Sequence, residues 1–522
     1  MKPDTSKRIV PRDPSTGEEL GRLPVFSPEE IRKAVAIARE VQKTWRETQI
    51  RERIALVRNA MHLIAESADK LHRQLVRETG KPVTEALLGE IGNGLLVMDY
   101  YVRHGERILQ PKRLRSAKFL WTTTHWETYS PVGVAGVISP WNFPFYLTLC
   151  PTIPALIAGN CVINKPSEFT PLTALHIKEI LDQAGFPEGV FQVVTGYGAA
   201  GAALIDAGVN MVSFTGSVAT GRKVAEACGR RLIPCNLELG GKDAALVLED
   251  ADLERAANGV VWGALCHSGQ ICASIERVYV VEPVAERFSE MVVERVRKLV
   301  QGPTLDPDTE IGAINNEQQL RKIEDQVAEA LKGGARAETG GKWNGAFPEG
   351  HFFEPTVLVG VKDDDRVMAE ETFGPVIPIR VVKDENEAVK LANRGPYGLC
   401  ASVWTRNEER ALRLVSQLEA GNIFVNDHIT PTGNPAAPWG GIKDSGVGRA
   451  KGEHGLLGCV HIRHVSVERL NLKSSPMWYP YTPAKASFFL QGLSAFWGRT
   501  LRTRLKALLA LLPRIPELFR LL

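Results

Sequence analysis

VGVAGVI, residues 132–138, runs for seven residues without a polar side chain. A strand covered on both faces reads as such an unbroken apolar run, whereas a half-exposed strand alternates. Three comparable runs follow at short intervals: CVINK (161–165), VFQVV (190–194) and MVSF (211–214). Helical stretches such as Pro171 to Ala184 and Ala219 to Cys228 lie between them. Strand, helix and strand in that rhythm predict a doubly wound, Rossmann-like α/β unit on a parallel sheet. A second set begins after Leu239, with RVYVVE (277–282), VIPIRVV (376–382), ASVW (401–404) and NIFVN (422–426). Two α/β units are therefore expected. Before the first, Ser27-Pro28-Glu29-Glu30 is a capping box with proline at the first helical position, predicting a helix to about Trp45. Helical periodicity continues from about Arg51 to His104. KFLWTTTHWETY (118–129), rich in threonine and aromatics, predicts a strand pair.

A chain of 522 residues is long enough for two or three domains. Its 44% hydrophobic and 24% charged residues exclude disordered and collagen-like classes. Eight dispersed cysteines form no CxxC pair or Cys/His spacing, so neither a metal site nor a disulfide framework is predicted, and a reducing cytoplasm fits. The first residues lack the apolar core of a secretory signal. Nothing points to nucleic acid.

Charge is uneven. From Lys473 to the end there are eight basic residues against Glu517 alone, while the rest of the chain holds four more acids than bases. Leu490, Leu493, Trp497, Leu501, Leu505, Leu508 and Leu512 recur at helical spacing, with Arg499, Arg502 and Lys506 opposite. This predicts one basic amphipathic helix in a tail at 473–522. No apolar run approaches the roughly 20 residues that span a bilayer. Two readings stay open: the helix lies in an anionic membrane surface, or it docks on the body or a partner subunit.

Several short motifs carry chemistry. SFTGSVATG sets Gly216 and Gly221 between a strand and a helix, where main-chain N–H groups and the helix dipole favour a phosphate. Lys165 and Glu168, in NKPSE after another strand, stand at the edge where nucleotide ribose is bound. In ELGGK, Glu238 leaves an apolar strand just before Leu239, and partial desolvation raises a carboxylate toward the range of a general base. ETFGP puts Glu371 and Phe373 ahead of a turn. Ser139-Pro140-Trp141-Asn142-Phe143-Pro144 stiffens an asparagine between two prolines, as suits an amide that must point one way. GQICA holds Cys272, which taken alone reads more readily as a small buried core residue than as a nucleophile.

In this order and spacing, SPWNFP, NKPSE, FTGS, ELGGK, GQIC, ETFGPV and PWGGIKDSGVGR resemble the aldehyde dehydrogenase superfamily, over about residues 8 to 470. The resemblance implies NAD(P)-dependent, non-acylating oxidation of a small-molecule aldehyde. Cys272 would be the nucleophile, Glu238 the base that activates water, and Asn142 the oxyanion-hole amide. The cofactor contacts would be Ser139, Pro140, Trp141, Lys165, Glu168, Gly216, Ser217, Gly221, Leu239, Glu371 and Phe373. Glu168 would favour NAD over NADP. Phe143, Phe145 and Trp439 would line the substrate pocket, suiting apolar or aromatic aldehydes. The resemblance divides the chain into a dinucleotide-binding domain (1–117 and 131–238), a catalytic domain (239–430) and oligomerisation segments (118–130 and 443–470), with a homodimer or homotetramer expected. Ala450 stands where many relatives carry a glutamate linked to proton relay. Two alternatives remain: a coenzyme A-acylating enzyme, disfavoured by Glu238, and a non-catalytic protein on this scaffold. A cysteine hydrolase would need His267 as its base.

Overall fold

The computed structural model describes residues 8–118, 120, 122–470, 473–475 and 477–516. Phe119 and Trp121 of the expected strand pair, and Glu517 and Arg520 of the tail, lie outside them. The chain divides into two compact units, residues 1–110 with 129–462, and residues 111–128 with 463–522.

The first unit holds two sheets. One has six strands in the order Gly446–Val447, Cys235–Glu238, Met211–Thr215, Val134–Ile138, Cys161–Lys165 and Phe191–Val193. The last five are parallel, and Gly446–Val447 joins Cys235–Glu238 antiparallel. Chain order along the parallel part reverses at Val134–Ile138, so a crevice opens at the carboxyl ends of that strand and Met211–Thr215, the position where such sheets bind ligands. All five residues of Val134–Ile138 are buried, which is why the run carries no polar residue. The capped helix forms as expected over Pro28–Trp45 with both capping-box bonds present.

The other sheet has seven strands: Arg336–Thr339, Thr356–Val359, Val376–Val382, Ile275–Val281, Asp243–Val247, Cys400–Trp404 and Asn422–Val425. Only the first is antiparallel. Its two faces are covered by separate apolar clusters, one around Leu246, Ile323 and Leu358, the other around Val260, Val278 and Phe288.

The second unit contains a three-stranded sheet in the order Val460–Glu468, Thr123–Pro131, Lys112–Leu114. The sequence 118–129 is thus not a strand pair. It supplies the middle strand, and its partner Lys112–Leu114 lies upstream, fully exposed and therefore without apolar alternation. Of residues 443–470, only Val460–Glu468 belongs here, because Gly446–Val447 pairs in the six-stranded sheet. His125 Nδ1 and His464 Nε2 are hydrogen-bonded at 2.9 Å across the strands.

The tail is two helices, Pro483–Trp497 and Leu501–Leu511, instead of one. Gly498 takes an extended ψ of 139°, and Thr500 caps the next helix by accepting from Thr503 N. Glycine and an N-cap threonine stop one helix and start another. The two pack on each other, and Gly492, Ala495 and Ala507 are buried. No helix among the described residues is long and apolar enough to cross a membrane.

Candidate active site

Cys272 sits in a short loop that begins where helix Leu253–Leu265 ends. His267, Ser268 and Gly269 take three consecutive left-handed conformations (φ 50°, 54° and 72°). Such strain persists only where the surroundings over-determine it, and here they do. A Cβ on Gly269 would lie 2.1 Å from the Gly374 carbonyl oxygen, so no other residue fits. Ser268 Oγ donates to the Gly312 carbonyl at 2.9 Å. Gln270 Nε2 donates to the carbonyls of His267 and Ala313, while its Oε1 accepts from Asn315 N at 2.8 Å. The GQICA stretch is therefore clamped from three sides, with the Cys272 carbonyl close against Gly241.

Asn142 is brought to this loop from the end of Val134–Ile138. Its Nδ2 donates to the Gln270 carbonyl at 2.9 Å, which fixes the amide and leaves its second N–H free to donate elsewhere. A buried ion pair holds the main chain: Lys81 Nζ lies 2.7 Å from Glu90 Oε1 and donates to the Asn142 carbonyl at 2.8 Å. Glu90 Oε2 accepts from Phe145 N and Tyr146 N. The sequence reading missed this pair, because no pattern around Lys81 and Glu90 marks them as partners of residue 142.

Glu238 ends the strand Cys235–Glu238. It is 7% exposed, and its Oε2 has no hydrogen-bond partner. Burial pushes its carboxyl up to about 8, against smaller opposing effects of Asn236, Arg449 and Lys451. The Cys272 thiol is also pushed up, by burial first and then by Asp243, Glu238 and Glu371. His267 is fully buried, with both ring nitrogens unbonded and its imidazole edge-on to Phe143 at 5.5 Å. Burial holds it neutral.

Cys272 lines a cavity of about 350 Å³ with Leu88, Phe143, Tyr146, Leu147, Trp262, Ile271, Ile429, Trp439 and Lys451 among its walls. Phe143 and Trp439 are among these walls, and Phe145 is not. It is fully buried, packed under Gly94 and Leu149. Pro144 turns the chain into helix Tyr146–Ala158, and Tyr146 and Leu147 face the cavity in its place. Beside the cavity, Ala86–Gly92 is a π-helical turn, a form frequent at functional sites.

The crevice gathers the remaining motif residues. Lys165 Nζ is 3.7 Å from Glu168 Oε2 at the end of Cys161–Lys165. Gly216 and Ser217 precede helix Val218–Arg231, with Ser217 as its N-cap. Gly221 allows Leu239 to pack against that helix, since a Cβ there would meet Leu239 at 2.4 Å. Glu371 accepts from Gly241 N at 3.1 Å. Phe373 is held at φ 57° and meets Trp141 edge-on at 5.4 Å. A second buried pair positions this edge: Lys242 bonds Glu276, whose carboxylate accepts from Thr372 N and Phe373 N. Ser139 Oγ is engaged by Thr148 and Asn164, which leaves the residue only its main chain to offer. A helix start capped by Ser217, the Lys165–Glu168 pair and a braced Phe373 ring against Trp141 are groups that suit a nicotinamide dinucleotide.

Comparison with known proteins agrees. The aldehyde dehydrogenase family model matches residues 1–465. A Methylomonas protein named 4,4'-diapolycopene aldehyde oxidase is 37% identical over 491 residues, 94% of this chain and 91% of that one. A Mycolicibacterium smegmatis protein carrying a succinate-semialdehyde dehydrogenase name, with NADP(+) as acceptor, is 39% identical over 459 residues, 88% of each. The crystal structure of an NAD-dependent aldehyde dehydrogenase from Sinorhizobium meliloti superimposes with a TM-score of 0.87 at 35% identity, covering 92% of this chain and 94% of that one. The chain belongs to the aldehyde dehydrogenase family, enzymes that oxidise aldehydes with a nicotinamide cofactor.

Proposed function

We propose that this enzyme oxidises apolar aldehydes to carboxylic acids, with Cys272 as nucleophile, Glu238 as hydrolytic base and Asn142 as oxyanion donor, and with NAD preferred over NADP. The observation that carries the reading is the Cys272 thiol on the wall of a largely apolar cavity, two residues from the carbonyl that fixes the Asn142 amide. The thiolate adds to the aldehyde carbon, and the carbonyl electron pair moves to oxygen. The free Asn142 N–H and the Cys272 main-chain N–H stabilise that oxyanion, one such donor being worth about 3–4 kcal/mol. Lys165, Glu168, Gly216, Ser217, Glu371 and Phe373 would hold the dinucleotide. When bound, its nicotinamide ring supplies the hydride acceptor. Cys272 then carries a thioester. Glu238 takes a proton from water, the resulting hydroxide displaces the sulfur, and the acid leaves.

The two relatives' names divide over substrate, one citing 4,4'-diapolycopene aldehyde and the other succinate semialdehyde. The walls are mostly apolar, with Leu88, Phe143, Leu147, Trp262, Ile429 and Trp439 set against two charged residues, Glu85 and Lys451, and the Lys451 ammonium is already engaged by the Thr432 carbonyl and the Trp439 indole, so the balance favours an apolar substrate. Glu168 supports NAD, because its carboxylate would repel a 2′-phosphate. A panel of short aliphatic, long aliphatic, aromatic and semialdehyde substrates, run with both cofactors, tests both points. Long aliphatic or aromatic aldehydes should exceed acetaldehyde and succinate semialdehyde by about tenfold or more in kcat/KM, as burial of two or more methylenes at about 0.8 kcal/mol each would give. Equal values would overturn the substrate class, and faster turnover with NADP would overturn the cofactor preference.

The tail supports a second reading, attachment to an anionic membrane surface. Leu490, Leu493, Leu501, Leu505, Leu508, Leu509 and Leu512 are each between 47% and 74% exposed, and Trp478, Tyr479 and Tyr481 more than 60%. Arg499, Arg502, Arg504 and Lys506 are exposed on the same helix pair. Leucines in the acyl boundary, aromatics at headgroup level and cations worth about 1 kcal/mol each suit that surface. The full-length protein should co-sediment with phosphatidylglycerol vesicles at low salt, release at high salt, and lose binding when truncated after Lys473. Absence of binding, with truncation lowering solubility or the oligomeric state, would assign the helices to a protein interface.

A further inference from the structure

One residue on the wall of the Cys272 cavity stands where the fold resists it. Lys451 is 3% exposed, and its main chain sits at φ 64°, ψ 174°, a region essentially reserved for glycine. It also directly precedes helix Gly452–Leu457, an end that disfavours positive charge. Its ammonium donates to the Thr432 carbonyl and stands 5.2 Å from the centre of the Trp439 indole. No carboxylate among the described residues forms an ion pair with it, and the ionisable groups acting on it are Cys150, Glu238, Cys400 and Cys272. A strained backbone, a desolvated charge and a missing counter-ion are three separate costs. Packing alone does not call for them, since an apolar side chain would fill the same space.

We propose that Lys451 is a positioning residue for the proton chemistry of this site: its ammonium, braced by Thr432 and Trp439, favours the Cys272 thiolate and the Glu238 carboxylate over their protonated forms. The proposal rests on the roles given above to Cys272 and Glu238. Each group ionises by releasing its proton to solvent water, and Lys451 stabilises the charge left behind. The need for a cation is plain from the neighbours. Asp243, Glu238 and Glu371 all act against a thiolate at Cys272. Glu238 is opposed by no cations except Arg449 and Lys451 among its main influences, and Arg449 directs its guanidinium to the Gly441 and Gly448 carbonyls. Among the described residues that line the cavity, Lys451 is the only lysine or arginine.

The test is the pH dependence of Cys272 alkylation by iodoacetamide in the full-length enzyme, with the labelled cysteine identified by peptide mass spectrometry. It is paired with the pH profile of kcat/KM for one good aldehyde with NAD. Lys451→Met and Lys451→Gly should move the alkylation midpoint and the acid limb of kcat/KM to higher pH by about one unit, slowing labelling at neutral pH by about tenfold. Lys451→Arg, which keeps a cation, should retain the wild-type midpoint. Lys451→Gly should melt no lower than wild type, because glycine accepts the backbone conformation and a buried charge is removed. Unchanged profiles in folded Lys451→Met and Lys451→Gly would overturn the proposal, as would a lower melting temperature of Lys451→Gly with an unchanged midpoint. Labelling of a cysteine other than Cys272 in the wild type would instead overturn the nucleophile reading.

Discussion

Cys272→Ser is expected to lose aldehyde oxidation by roughly ten-thousandfold or more in kcat, while the protein stays folded and still binds dinucleotide. The two side chains are nearly isosteric, and the loop is held by Gly269, Ser268 and Gln270, none of which bonds the thiol. What changes is ionisation. A thiol gives up its proton far more easily than a hydroxyl, and the sulfur anion is the stronger nucleophile near neutral pH. Serine needs an adjacent base to compensate. The histidine close in sequence, His267, is buried edge-on to Phe143 and held neutral, and Glu238 is the base proposed for water. Stopped-flow NADH formation and NAD titration by protein fluorescence check both halves of the expectation. Residual turnover within tenfold of wild type would remove Cys272 from the reaction.

The sequence made the sheets legible because strands buried on both faces cannot hide. CVINK reads as Cys161–Lys165 and VIPIRVV as Val376–Val382, residue for residue. It made the site legible because chemistry forces unusual company, with Cys272 behind a glycine that nothing else could replace and Asn142 between prolines. What it could not show depends on distant partners. Phe145 looked like a pocket aromatic, but Pro144 and the helix that follows turn it into the core and bring Tyr146 forward. Lys81 and Glu90 acquire their meaning from residues 61 and 55 positions away. Gly446–Val447 is too short to carry a pattern, and the fully exposed Lys112–Leu114 has no apolar face to alternate. In the tail the leucine spacing was continuous across Gly498, whereas the backbone was not.

Glu238→Gln should separate the two halves of the reaction. Thiolate attack and hydride loss do not require the carboxylate, so the variant should form up to about one NADH per active site and then slow by on the order of a hundredfold or more, as an acyl-enzyme accumulates. With Glu238 as the proposed base, hydrolysis in the wild type would require the ionised carboxylate, and with the group pushed up to about 8 its rate should fall as pH drops below that value. The variant should lack that limb. Stability gives an independent check with a defined sign. The folded carboxyl titrates above its ordinary value of 4.5, so the folded state binds more protons than the unfolded state between those two values. Glu238 therefore contributes most below about pH 4.5 and loses that contribution as pH rises through about 8. Glutamine, which never ionises, escapes the loss. The melting temperature of Glu238→Gln relative to wild type should accordingly rise between pH 5 and pH 8 and then level off. A constant difference across that range would mean that the Glu238 carboxyl is not raised, and rapid steady turnover without a burst would mean that it is not the base.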